Sequence, residues 1–92
     1  MTGETRLTAW VHGWVQGVGF RWWTRSRALE LGLTGYAANQ PDGRVLVVAQ
    51  GPHQACERLL DLLNGGTAPG RVDNVLADFS QADGPIAGFR ER

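Results

Sequence analysis

In the stretch HGWVQGVGFRWW, His12 to Trp23, glycines stand at positions 13, 17 and 19 and an arginine follows at 21. Glycine permits positive φ and close backbone approach, so successive main-chain N–H groups can curl into a concave nest around an anion. Where such a loop runs into a helix, the first N–H groups lack intrahelical acceptors and carry the positive end of the helix dipole. Arg21, arriving in the first helical turn, adds a planar fork able to make two parallel charge-assisted bonds to the same phosphate. The pattern is neither a dinucleotide fingerprint, since position 22 is Trp, nor a nucleotide P-loop, since no Gly-Lys-Ser/Thr follows. On spacing alone, a tight turn that needs glycine for its geometry explains these residues equally well.

The elements around the loop set its context. Leu7, Ala9 and Val11 alternate with Thr8, Trp10, His12 and Trp14, the period of a half-buried strand, here expected over Arg6 to Gly13. After the loop, RWWTRSRALELGL carries good helix formers up to Gly32, so a helix is expected from Phe20 to Leu31 with Leu33 packing back. Phe20, Thr24, Ala28 and Leu31 share one side of it and Trp22 and Leu29 another, so at least one tryptophan is expected to be partly exposed. TGYAANQPDGRVLVVAQG reads as two strands around a Pro41-Asp42-Gly43 turn. In GPHQACERLLDLLNGG, Pro52 suits a first helical turn, and Cys56, Leu59, Leu60 and Leu63 line one face before the Gly65-Gly66 stop. RVDNVLADFS reads as a fourth strand and PIAGFRER as a shorter fifth, with room for a sixth element split from the fourth. The order predicts an α+β, ferredoxin-like split βαβ fold (βαββαβ), an antiparallel sheet with two helices on one face, as a single domain over 1–92. That architecture hosts many activities, so it implies none.

Composition narrows the classes. Nine basic residues, all arginine, balance nine acidic ones, so no electrostatic footprint for nucleic acid or an anionic membrane is present. The single cysteine, Cys56, excludes an internal disulfide and a cysteine-based zinc cluster and reads as a core residue. MTGETRLTAW lacks the apolar core of a signal peptide, and no apolar run approaches the ~20 residues that span a bilayer. A cytoplasmic monomer with no membrane or nucleic-acid partner is the expectation. No His, Cys, Asp or Glu grouping has metal-ligand spacing, so no metal is expected.

VHGWVQGVGFR, Val11 to Arg21, resembles the first signature of the acylphosphatase family, and GYAANQPDGRVLVVAQG, Gly35 to Gly51, resembles its second. The two stand in the usual order and separation, and the resemblance covers nearly the whole chain. Two positions depart from the pattern: Ala38, where a basic or polar residue is frequent, and Leu46, where an acidic residue is common. The resemblance implies hydrolysis of acyl phosphates to a carboxylate and inorganic phosphate, without metal or cofactor. It makes Arg21 the phosphate-binding arginine. The amide cradle becomes Trp14, Val15, Gln16, Gly17, Val18, Gly19 and Phe20, and Asn39 positions the attacking water. The chemistry agrees, because a carboxylate leaves without a general acid and phosphoryl transfer rests on positioning and electrostatics.

Two other functions fit the same fold. An RNA-binding module would stack bases on sheet aromatics such as Trp10 and Trp14, but on an ordinary sheet these read as packing residues, and the module's glycine-aromatic signature belongs on a central strand with a basic surface. A ligand-binding or maturation module would keep the shape without turnover. His12, which directly precedes the loop, reads as structural, and His53 as solvated.

Overall fold

The structure, a computed structural model, describes residues 4–92, so the first three residues of the expected domain and of the N-terminal stretch lie outside the described residues. Alternation from Thr5 to Trp14 (strand β1) decides which face of the sheet is covered: Leu7, Ala9 and Val11 are fully buried, while Thr8, Trp10 and His12 between them are half-buried. The chain continues through α1 (Phe20–Glu30), β2 (Thr34–Asn39), β3 (Val45–Gly51), α2 (His53–Asn64), β4 (Arg71–Gln81) and β5 (Phe89–Glu91). The strands form one sheet in the order β4-β1-β3-β2-β5, antiparallel except for the parallel β2–β5 edge pair. Both helices pack on the Leu7-Ala9-Val11 face, giving the expected ferredoxin-like α+β architecture with β5 added at one edge.

The register puts Val11, Ala9 and Leu7 of β1 against Val45, Val47 and Ala49 of β3, so the two central strands share one apolar inner face. On that face α1 buries Phe20, Trp23, Thr24 and Ala28, and Trp22 and Leu29 are the exposed side. Helix α2 buries Cys56, Leu59 and Leu63, with Leu60 at the margin. The end of α1 is a Schellman motif: the Gly32 N–H donates to the Leu29 carbonyl (3.0 Å) and the Leu33 N–H to that of Ala28 (2.9 Å). Leu33 is thereby turned into the core.

Three expectations need correction. Pro52 caps α2 from outside its first turn, and the first helical bond runs from the Cys56 N–H to the Pro52 carbonyl. The fourth strand is one continuous element: it pairs with β1 along its length, and a bulge where the register shifts between His12 and Gly13 absorbs its irregularity. Trp14, read as a packing residue, is 66% exposed as the last residue of β1. Among the described residues no helix is long and apolar enough to cross a membrane.

Candidate active site

The loop between β1 and α1 is fastened at both ends by apolar side chains. Val15 and Phe20 are in the core, and Val18 packs against it from a half-buried position. Burying these side chains leaves the intervening main chain near the surface, and the N–H groups of Gln16, Gly17, Val18 and Gly19 donate to no described residue. Gly17 and Gly19 have φ of 74° and 84°, and a Cβ at either would meet nothing within 4 Å. Glycine is therefore required there by conformation, not by space. The loop's other wall is the lead-in to β4, where a Cβ on Gly70 would collide with the Trp14 carbonyl and crowd Val18.

Helix α1 starts at Gly19 with no side-chain cap and no acidic residue in its first turn. Its first main-chain bond joins the Trp23 N–H to the Gly19 carbonyl at 3.0 Å, so the N–H groups of Phe20, Arg21 and Trp22 have no intrahelical acceptor. Beside them lies a recess of about 70 Å³ lined by Val15, Gly17, Gly19, Phe20, Arg21, Trp22 and Glu91. This is far below the ~300 Å³ at which pockets begin to take whole drug-sized ligands. It suits the headgroup of an anion, with the remainder of the molecule outside.

Arg21 and Asn39 come from separate elements and meet through one atom. The main-chain oxygen of Arg92 accepts a bond from Arg21 Nη1 at 2.7 Å and another from the Asn39 N–H at 3.0 Å. Arg92 is held in turn by its own N–H on the Ala37 carbonyl at 2.8 Å. The bond from Nη1 to the Arg92 oxygen is the only hydrogen bond of the Arg21 guanidinium among the described residues, which leaves its Nε and Nη2 edge for a planar acceptor. In β2, Asn39 shares with Ala37 the face that carries the helices, and its exposed carboxamide makes no hydrogen bond within the described residues.

Of the expected site residues, Val15, Gly17, Gly19, Phe20 and Arg21 line the recess. Trp14, Gln16, Val18 and Asn39 do not. Val18 faces the core, and Gln16 turns to the β2–β3 hairpin, where its Nε2 donates to the carbonyls of Gln40 (2.8 Å) and Arg44 (2.9 Å). Glu91, Trp22 and the Arg92 main chain were not foreseen. Nothing in a three-residue edge strand marks Glu91 as a neighbour of α1, and a main-chain contact such as that of Arg92 is not encoded by residue type.

The remaining candidates are accounted for elsewhere. Asp42 closes the hairpin: the Arg44 N–H reaches its Oδ1 at 3.1 Å and Arg44 Nε its Oδ2 at 2.6 Å. The main-chain bond is foremost in holding the Asp42 carboxyl below its ordinary value, so it is no base in waiting. His12 pairs with Asn74 in the sheet and does not line the recess. On the sheet face away from the helices, Trp10 and Tyr36 are covered by the guanidinium groups of Arg44 (4.4 Å) and Arg92 (4.0 Å), which occupy the surfaces a stacked base would need. Ala38 and Leu46 pair on that same face and do not reach the recess.

A family model described as acylphosphatase matches residues 7–91. The chain belongs to the acylphosphatase family. An acylphosphatase of Mycobacterium tuberculosis (strain ATCC 25618 / H37Rv) is 74% identical over 89 residues, 97% of this chain and 96% of that protein. The crystal structure of acylphosphatase from Bacillus subtilis superposes with a TM-score of 0.89 at 28% identity, over 96% of this chain and 98% of that one. An acylphosphatase structure from Coxiella burnetii gives 0.87 at 35% identity, over 98% and 94%. Membership makes the chain an enzyme of the acylphosphatase family and gives the recess beside Arg21 a chemical context.

Proposed function

We propose that this chain hydrolyses the carboxyl–phosphate bond of acyl phosphates without metal or cofactor. Arg21 and the loop amides hold the phosphate, and Asn39 holds the attacking water. The observation that carries the reading is the Arg92 oxygen shared by Arg21 and Asn39, which supports a fixed relation between the phosphate-holding and water-holding groups. In the reaction, water oxygen bonds to phosphorus as the phosphorus–oxygen bond to the acyl group breaks. The carboxylate departs with the electron pair, and the water proton passes to a phosphate oxygen. The leaving group is a weak base, so no general acid is needed. Charge on the equatorial oxygens of the loose transition state is met by the Arg21 fork and by N–H groups at the start of α1, which are oriented beforehand. The Asn39 amide, donor and acceptor at once, can orient the water without removing its proton.

The test is turnover of benzoyl phosphate in the presence of chelator, by the parent chain and by Asn39→Ala, with a phosphate monoester as control. The expected result is hydrolysis of the acyl phosphate only, a loss of kcat of about 100-fold or more in Asn39→Ala, and near-parental inhibition by inorganic phosphate. Near-normal kcat in Asn39→Ala would remove the role given to Asn39. Inhibition by chelator would remove the metal-free step.

A further inference from the structure

Gln16 sits in the middle of the cradle, yet its side chain points away from the recess. Both hydrogens of its Nε2 are used, one on the Gln40 carbonyl at 2.8 Å and one on the Arg44 carbonyl at 2.9 Å. Two carbonyl acceptors admit only the NH2 end of the amide, so its orientation follows from chemistry. The two acceptors flank the hairpin turn, and Gln40 directly follows Asn39. The loop that would hold the phosphate is thus tied to the strand end that would hold the water.

We infer that Gln16 is a positioning residue for Asn39: it sets the distance between the phosphate cradle and the water-orienting amide. The inference rests on the proposed acyl phosphate reaction. Asn39 is held from two sides, its own N–H on the Arg92 oxygen and the next residue's carbonyl on Gln16. The Arg92 tie fixes Asn39 relative to Arg21, and the Gln16 tie fixes it relative to the glycine loop. Neither Arg92 nor Gln16 lines the recess, and the cradle itself is anchored independently through Val15 and Phe20. Loss of the Gln16 tie should therefore misplace the water while leaving the anion's contacts in place.

Gln16→Met keeps the length of the side chain and removes both donors. The fold has little reason to fail, because the Gln40 carbonyl retains the Gly43 N–H (3.1 Å) and the Arg44 carbonyl retains the Gln40 N–H (2.9 Å). Gln16→Glu presents a carboxylate to the same two carbonyls and is the harsher variant. With benzoyl phosphate, kcat is expected to fall about 10–100-fold in Gln16→Met, the scale of a misplaced reacting group, and further in Gln16→Glu. Inhibition by inorganic phosphate should stay within about threefold of the parent, since the cradle contacts are retained.

The deciding measurement is the double variant. In an Asn39→Ala background, Gln16→Met should change the residual kcat by less than about twofold, because the group it positions is gone. An equal factor in both backgrounds, a parental kcat in Gln16→Met, or a loss of phosphate inhibition matching the loss of kcat would each overturn the inference. These outcomes differ from failure of the underlying reaction, which would show as a parent chain without acyl phosphate turnover or as full activity in Asn39→Ala.

Discussion

Removing the Arg21 guanidinium should separate activity from stability. In Arg21→Ala, the proposed reaction would lose two charge-assisted bonds to the phosphate, each worth about 1.5–3 kcal/mol, for a total of ~3–6 kcal/mol. At ~1.4 kcal/mol per tenfold, kcat/KM falls by about 10²–10⁴. The fold loses far less. Arg21 donates one bond within the described residues, to the Arg92 oxygen at 2.7 Å, and that oxygen keeps the Asn39 N–H at 3.0 Å. No acceptor is orphaned, so the cost is about 1 kcal/mol, or ~4–8 °C in Tm for a domain of this size. Arg21→Lys keeps the charge without the fork and should fall between parent and Arg21→Ala. The assay pairs the ultraviolet loss of benzoyl phosphate with melting by circular dichroism and with inhibition by inorganic phosphate. A folded Arg21→Ala chain within tenfold of the parental kcat/KM would refute the assignment of Arg21 as the phosphate clamp.

Two further outcomes concern the core. Thr24 is fully buried on α1 and its Oγ1 has no hydrogen-bond partner among the described residues; Thr24→Val, which keeps the shape and removes the hydroxyl, should raise stability by about 1–2 kcal/mol in urea unfolding, and a loss of that size would mean the hydroxyl is satisfied. Burial pushes the Cys56 thiol above its ordinary value of 9.0. The folded state therefore keeps the proton that the unfolded state releases, so this contribution is intact below pH 9.0 and is lost as pH rises beyond it. An aromatic disulfide reagent should label Cys56 only on unfolding, and rapid labelling of native protein at pH 8 would contradict its burial.

Much of the molecule was legible locally. Period-two alternation in β1, the Gly32 stop of α1 and the Pro41-Asp42-Gly43 turn are set by neighbours in sequence, because strand pleat, left-handed caps and tight turns depend on a few consecutive residues. The glycine loop with Arg21 was legible for the same reason. Its φ angles and uncapped helix start are properties of one short segment.

The sequence by itself determined the order of elements and the glycine loop running into α1 and, by resemblance, raised the expectation that Arg21 and Asn39 act together. What only the tertiary structure decided is how those parts are held together. The Arg92 oxygen between Arg21 and Asn39, the reach of Gln16 to the hairpin and the placement of Glu91 at the recess all join residues from 24 to 76 positions apart. They arise because the sheet order sets β3 beside β1, brings β5 beside β2 and lays α1 along both β2 and β5. Such contacts use main-chain atoms or edge positions, whose partners are chosen by strand order and packing and leave no pattern in residue type.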